Sequence, residues 1–535
     1  MRTCKRMLTA ILSAITASAI VSTPLYAGAE SEVYLDEISL AEENPEPIPY
    51  TEWDFYGGDL SEIMTYSGIY PSSVDLSTSP CFPAAIANQG ESNACAAFST
   101  VYYQYSYEVN KLNGVASSAN QTIYSPRWAY NILNGGDGSS GIGITNIYAL
   151  LKSSGALKWD DLPFDETDVS SLPEGMEAEK LEALNTRLET FYSLSLPGEG
   201  TPITSPTDSD LNGIKTALND GKMPVIATSV DFDTKNGYGE YSGTVACYRV
   251  IDDGSGHDMA VVGYDDNFCC DFNNNGTIED SEKGAFKVVN SFGTESNKNY
   301  DNNGYVWVMY DALNAVSANT ANEWESNLIG TRVPAFSLEN QYPLFWLMDV
   351  AHKDVYLVGE IFVQTTKFDD LQIKYSRSTS DVVSFYDSYN FEPYFSNLRD
   401  AEIERAFNGV LLFDYGELCT PPEYYLSGNN WNTSARISST DSNLRIIDNK
   451  GNELCGYDES NHIVTASDVN YCTVNTKIGD LDYDNTLTQN DAQLVQDSLA
   501  QTISLSALQK ILADFDRNGS ITINDAVLIV NSKEA

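Results

Sequence analysis

The rhythm of apolar and polar positions changes three times along the chain. Between 94 and 112, within NACAAFSTVYYQYSYEVNKL, apolar and aromatic residues recur at three- and four-residue intervals, which predicts a helix, and a second helical run covers 144–153. Farther on, DMAVVGY, GAFKVVN and GYVWVMY are short apolar or alternating runs that predict strands. Helices first and strands later, over 72–332, imply an α+β domain in two lobes. From 333 to 474 the runs VYLVGEIFVQTT, LQIKYS, GVLLFDYG and NLRIIDN are separated by Asn, Asp, Gly and Ser clusters, the spacing of an antiparallel all-β sandwich. From 475 to 535 the chain repeats itself: DLDYDNTLTQNDAQLV and DFDRNGSITINDAVLIV begin 34 residues apart, at Asp480 and Asp514, and predict one small paired α-helical module.

A multidomain chain is what 535 residues require, since a single core stops growing well below that length. The N-terminus adds a targeting segment. MRTCKRMLTAILSAITASAIVSTPLYAGA sets Arg2, Lys5 and Arg6 ahead of a short apolar run that ends in small residues, so 1–29 reads as a secretory signal. The mature protein is then expected outside the cell, free or in a cell-surface complex. Residues 30–71, acidic and carrying LAEENPEPIPY, read as a linker or short pro-segment. No later stretch is apolar for long enough to span a bilayer.

Charge removes whole classes of partner. The chain holds 76 acidic against 30 basic residues, a net −46, whereas a phosphate backbone is bound by clustered Lys and Arg. Nucleic acid and anionic membrane surfaces are therefore excluded as expected partners. Nine cysteines over this length, one of them Cys4 in the signal, are too sparse for a disulfide framework.

One cysteine stands apart. In NQGESNACAAFS, Asn93 can cap the helix that follows, which puts Cys95 in its first turn. There the unpaired amides and the helix dipole favour the thiolate, the reactive form. A thiolate mechanism needs a base, and the chain has three histidines, His257, His352 and His462. His257, in GSGHDMAVVGY, enters an apolar strand, and Asn290 ends the next strand-like run, where its amide can fix the imidazole tautomer. Gln89, six residues before Cys95, can share an oxyanion hole with the Cys95 backbone N–H. Taken one at a time, a buried apolar Cys, a strand histidine and a turn asparagine are ordinary structural residues.

Together they resemble a known pattern. NQGESNACAAFS resembles the Gln-Gly and Cys-Trp-Ala-Phe segment of papain-like cysteine peptidases, and SSVDLSTSPCFPAAIANQG resembles the run that opens the mature enzymes. GHDMAVVGYDD is similar to the family's His segment, KVVNSFGT to its Asn-Ser-Trp-Gly segment and NGYVWV to its closing strand. The resemblance covers roughly half the chain and implies a two-lobed fold, a cleft between the lobes and peptide hydrolysis through a thioester. By it, Gln89, Cys95, His257 and Asn290 take the oxyanion, nucleophile, base and orienting roles. The sequence departs from the family at Ala96, where Trp is usual, at Ser92, where a disulfide cysteine is usual, and at Phe292, which replaces the Trp over the His–Asn contact. A thinner cover there would let water compete for that hydrogen bond and lower activity.

Three stretches have the spacing of twelve-residue calcium loops, which wrap hard oxygens round one ion. DFNNNGTIEDSE offers Asp271, Asn273, Asn275, the Thr277 carbonyl and Glu282. The two terminal repeats offer Asp480, Asp482, Asp484, Thr486 and Asp491, then Asp514, Asp516, Asn518, Ser520 and Asp525. The first of these has few carboxylates, and a polar hairpin without metal is its plain alternative. The terminal pair resembles a type I dockerin, which ends each loop in Asp. That resemblance implies two Ca2+ sites and docking onto a cohesin module of a scaffolding protein in a cellulosome-type complex, with Gln489-Asn490 and Ile523-Asn524 where partner specificity usually sits. Residues 333–474 faintly resemble the lectin-like β-sandwich that follows some bacterial papain-type peptidases, which makes carbohydrate a candidate partner; His352 and His462 there are read as structural. The expected protein is a secreted cysteine endopeptidase. The rival reading is a catalytically silent papain-like scaffold that binds carbohydrate or protein, favoured by Ala96 and Phe292 and opposed by the intact set of four.

Overall fold

In the computed structural model of the chain, the described residues are 69–118, 121–134, 138–168, 175–195, 203–272, 274–294, 301–313, 344–365, 372–378, 387–390, 407–416, 431–437, 442–455 and 471–532. The signal 1–29, nearly all of 30–71, Asn273, Cys419 and His462 lie outside them.

The helical run around Cys95 forms one rod, called α1 here. It opens as an α-helix, Cys95–Ala97, continues as a π-helix, Phe98–Tyr105, and closes as an α-helix, Ser106–Asn113, where Gly114 takes a left-handed φ of 63°. Every residue of the π segment is buried, the polar Ser99, Thr100 and Gln104 among its aromatic neighbours included. Phe82 stacks on Tyr103, Phe98 meets Phe164 edge-on and Tyr102 meets Trp159 likewise. Helices α2, Pro126–Leu133, and α3, Ile144–Ser154, pack beside it. Two short helices follow, α4 (Glu177–Ala183) and α5 (Asn212–Asn219).

The strands of the first domain form a seven-stranded sheet with the path β2-β7-β3-β4-β5-β6 and β1 on β4. They are β1 Ser73–Asp75, β2 Thr186–Ser195, β3 Val225–Asn236, β4 Val245–Cys269, β5 Lys283–Val289, β6 Tyr305–Met309 and β7 Leu344–His352. Strand β4 is its spine. It pairs with β3 along 225–236 and with β5 from Ala260 onward, and the run DMAVVGY is the part of it that the sequence marks as a strand. Gly263 lets β1 close on it, since a Cβ there would stand 2.1 Å from the Val74 carbonyl oxygen.

One boundary needs correction. The sequence places 333–474 in a separate β domain, yet β7 is laid between β2 and β3 of the first sheet, from Thr186↔His352 to Ser195↔Leu344. An alternating strand has no preference of its own for one sheet over another, and the free edges of β2 and β3 capture it. The remaining strands form two antiparallel four-stranded sheets. One runs β10-β9-β12-β15, with β9 Gln372–Ser378, β10 Asp387–Asn390, β12 Trp431–Ile437 and β15 Tyr471–Thr476. The other runs β11-β8-β13-β14, with β8 Leu357–Thr365, β11 Phe407–Asp414, β13 Ser442–Asp448 and β14 Glu453–Cys455. The second sheet is fastened to the first domain by a buried ion pair, Arg187–Asp414, and by Lys180 Nζ, which donates to the Val410 carbonyl at 3.3 Å.

The C-terminal repeats form helices α6 (Gln489–Leu499), α7 (Ala507–Ala513) and α8 (Ile523–Asn531), with α6 against α8. Thr488 and Thr522 build identical capping boxes with Asp491 and Asp525. Among the described residues no helix is long and apolar enough to cross a membrane.

Candidate active site

Cys95 stands at the first residue of α1, as its sequence context predicts, but the cap differs. The N-cap is Ala94, without a side-chain bond, and the Asn93 amide donates instead to the Ser139 carbonyl. The sulfur is half-buried and lies 3.9 Å from Oδ2 of Asp258, to which the thiol is directed. Asp258 is the strand neighbour of His257 on β4. Nε2 of His257 is 2.8 Å from Oδ1 of Asn290, so the thiol chemistry falls to the other ring nitrogen, Nδ1. Oδ1 of Asn290 also accepts the Ser291 N–H at 2.8 Å, which fixes the amide with its oxygen toward the ring.

The cover over this contact is not thin. Phe292 stacks on the imidazole, centroids 5.0 Å apart and 16° from parallel, and His257 and Asn290 are 3% and 1% exposed. A phenyl ring held parallel excludes water here despite the missing Trp, so the expected weakening of the His–Asn bond has no geometric basis.

Gln89 is buried and held on both sides. Its Nε2 donates to the Ser92 carbonyl at 2.6 Å, and its Oε1 accepts from the Ser291 hydroxyl at 2.5 Å. Its Nε2 carries a second N–H beyond the bond to Ser92. The loop carrying Gln89 lies along the segment after Asn290, through Gln89 N–H to Ser291 O at 2.8 Å and Gly293 N–H to Ala87 O at 2.7 Å. Thus Gln89 and Asn290, some 200 residues apart, are set by one short backbone ladder.

Two residues escaped the sequence reading. Tyr103, two turns down α1 from the nucleophile, accepts the Ala87 N–H at 2.8 Å and donates to the Asn290 carbonyl at 2.9 Å, tying both loops to the helix. A tyrosine among aromatic core residues carries no sequence mark of this. Asp258 could have been noticed, because a carboxylate inside the apolar run DMAVVGY breaks its pattern.

Asp258 changes the electrostatics. Burial pushes its carboxyl up to about 7, opposed by the thiol contact. Burial also pushes the Cys95 thiol up to about 12, with the Asp258 charge adding to it, while the amides of Asp258, Ala96 and Cys95 pull it down. The helix-start effect anticipated from sequence is therefore present but outweighed, and proton transfer to an imidazole must accompany attack.

All three calcium-type loops share one backbone. The fourth and sixth residues are left-handed in each: Asn274 and Gly276, Tyr483 and Asn485, Arg517 and Gly519. In each the sixth N–H donates to the first carboxylate, to Asp271, Asp480 and Asp514 at 2.9, 2.9 and 2.8 Å. In each the seventh N–H donates to the fifth side chain, Thr277 to Asn275, Thr486 to Asp484 and Ser520 to Asn518. Oxygens of Asp480, Asp482 and Asp491 lie within 4.8 Å of one another, as do those of Asp514, Asp516 and Asp525. In the first set Asp480 Oδ1 is buried with no hydrogen-bond partner, and burial with the neighbouring acids pushes its carboxyl up to about 6. That residue set fits a hard cation. The closing acid behaves alike in all three loops, since both oxygens of Glu282 accept amides, from Phe272 at 2.7 Å and Glu279 at 3.1 Å, as do both oxygens of Asp491 and of Asp525. The Asp271 loop differs in having Asn273 at its third position as well as Asn275 at its fifth, and so fewer carboxylates.

These features place the thiol at a helix start against Asp258, and the imidazole–amide pair on the adjoining strand residue, His257. No family model and no curated protein matches the chain. Solved structures that it resembles are cysteine proteases. Xylellain from Xylella fastidiosa aligns at 18% identity over 52% of this chain and 87% of its own, with a TM-score of 0.33. A procathepsin B from Trypanosoma congolense aligns at 17% identity over 54% and 80%, TM-score 0.34. A clostridial cysteine protease after propeptide cleavage aligns at 13% identity over 76% and 100%, TM-score 0.33. Likeness at this level does not bear on the chemistry, which rests on the geometry of the site itself.

Proposed function

We propose that the protein is a secreted papain-type cysteine endopeptidase, calcium-loaded at its C-terminus and docked there onto a cohesin-bearing scaffold. The observation that carries the catalytic part is the His257–Asn290 contact of 2.8 Å, sealed by Phe292 and set on the residue beside the one that touches Cys95 Sγ. A buried asparagine that fixes the imidazole of a strand whose next residue touches a thiol suits acyl transfer better than packing.

In this reading Cys95 Sγ attacks the scissile carbonyl as its proton passes to His257. The oxyanion is met by the Cys95 N–H and the free N–H of Gln89. His257 then returns the proton to the leaving amine, and water releases the acyl group from the thioester. Asn290 keeps the imidazole oriented throughout. At the terminus, Asp480, Asp482, Asp484, Thr486 and Asp491 would hold one Ca2+, and Asp514, Asp516, Asn518, Ser520 and Asp525 another, each ion ordering the helix that follows its loop. The Asp271, Asn275, Thr277 and Glu282 loop is a third calcium candidate, supported by its shared backbone. Ile523 and Val527, 58% and 50% exposed on α8, supply an apolar face for the cohesin partner.

A second reading has an observation of its own. The carboxylate against the thiol and the thiol's position near 12 favour a silent scaffold whose β sheets bind carbohydrate or protein. One experiment decides between them: hydrolysis of an unfolded protein by the full chain and by Cys95→Ala, with and without a thiol alkylator. Activity lost on substitution and on alkylation supports the peptidase. Equal inertness of both forms replaces it with the scaffold.

A further inference from the structure

Among the described residues, buried carboxylates are almost all answered. Glu282 takes two backbone amides, Asp414 takes Arg187 and Glu360 takes Arg445. Among the described residues two buried carboxylate oxygens have no hydrogen-bond partner, Oδ1 of Asp480 and Oδ1 of Asp258. The first belongs to a cluster of acids that fits a cation. The second stands alone beside the nucleophile.

Asp258 is 5% exposed, and among the described residues its carboxylate has one hydrogen-bond contact, the Cys95 thiol on Oδ2 at 3.9 Å. Its cross-strand partner on β3 is the small Ala227, which leaves the carboxylate uncrowded from that side. Tyr148 of α3 feels its charge but has its hydroxyl committed to Gln104 Oε1 at 2.8 Å. No Lys or Arg contributes to its electrostatics. An orphaned acid in this position opposes the catalytic thiolate, so a protein that uses the thiol gains from it only when something positive arrives with the substrate.

We propose that Asp258 is a specificity-determining residue, its Oδ1 receiving an ammonium or guanidinium group carried by the substrate within a residue or two of the scissile bond. The inference rests on Cys95 being the nucleophile of a peptidase. Sulfur and carboxylate are 3.9 Å apart, so the extended side chain of a Lys or Arg one step from the attacked carbonyl can reach the carboxylate while the carbonyl meets the sulfur. Charge pairing there does two things at once. It binds the substrate, and it offsets the Asp258 charge that adds to burial in holding the proton on Cys95, so the gain appears in kcat as well as KM.

The test uses the full chain and a set of quenched peptides with one basic residue scanned across the cleavage site, beside norleucine and glutamate counterparts, each with a blocked and a free N-terminus. Wild type is expected to prefer basic over norleucine peptides by at least about tenfold in kcat/KM, the order of one charge-assisted hydrogen bond. In Asp258→Asn that preference falls below about twofold while norleucine peptides are still cut. A preference of the same size with blocked and free N-termini supports the inference and assigns the cation to the side chain. Equal cutting of basic and norleucine peptides by wild type, or a preference that survives in Asp258→Asn, overturns the inference and leaves the peptidase standing. No cutting of any peptide overturns the peptidase reading and this inference with it.

Discussion

Removing a single oxygen from Tyr103 tests how the site is assembled. In Tyr103→Phe the ring and its stack on Phe82 stay, but the Ala87 N–H loses its acceptor at 2.8 Å and the Asn290 carbonyl loses its donor at 2.9 Å. Both partners lie in a buried environment, where a stranded donor or acceptor costs about 1–3 kcal/mol. Taking the two as partly compensating, the loss is about 2–4 kcal/mol, or roughly 5–10 °C in melting temperature for a domain of this size. Catalysis should suffer separately, because the hydroxyl ties to the helix of Cys95 the two loops that the backbone ladder joins. We expect kcat to fall by about tenfold, with KM changed by less, since misplacing catalytic groups by a fraction of an ångström costs that much. Tyr102→Phe is the control: its hydroxyl makes one partly exposed bond, to Ala85 O at 3.0 Å, and lies outside the ladder. The measurements are thermal unfolding and steady-state peptide hydrolysis. If Tyr103→Phe matches Tyr102→Phe in both, the two-loop tie has no mechanical role and the reasoning is wrong.

Other outcomes follow from the same structure. Asp414→Ala strands Arg187, which is fully buried and otherwise bonded to the Leu184 and Lys152 carbonyls at 2.9 Å, and should destabilise by about 3–5 kcal/mol; Arg187→Met with Asp414→Leu should recover most of it in thermal unfolding. Asp258 has its carboxyl raised from the ordinary 3.8 to about 7, so the fold favours the protonated form. Its destabilising effect is absent below about pH 4, grows between 4 and 7 and is complete above 7, up to ~4 kcal/mol. Asp258→Asn should therefore raise the melting temperature at pH 8 and leave it unchanged at pH 4; a rise equal at both values would refute the assignment. The same variant should alkylate faster at Cys95 with iodoacetamide, because one cause of the raised thiol is gone. Calcium should raise helical content and protect 475–532 from proteolysis, and Asp480→Asn with Asp514→Asn should abolish both effects; protection that persists in chelator would count against the paired sites.

Local spacing by itself settled a good deal. Asp or Asn at the first, third, fifth and twelfth positions dictates a loop whose own backbone turns these side chains inward, so the Asp480 and Asp514 loops were legible before any fold was known. The helix that starts at Cys95 and the strand that carries His257 are likewise short-range facts, written in periodicity and in the glycines beside them. Tertiary structure alone decided the rest. That β7 joins the first sheet depends on which edges lie open, and no run of residues announces its partner strand. Tyr103 bridges Ala87 and Asn290, which are brought together by folding across some 200 residues, and the buried pair Arg187–Asp414 spans a comparable gap. Above all, the isolation of Asp258 is a property of what does not surround it. A sequence shows which charges a chain contains, whereas the absence of a counter-charge at one point in space exists only once every other residue has been placed.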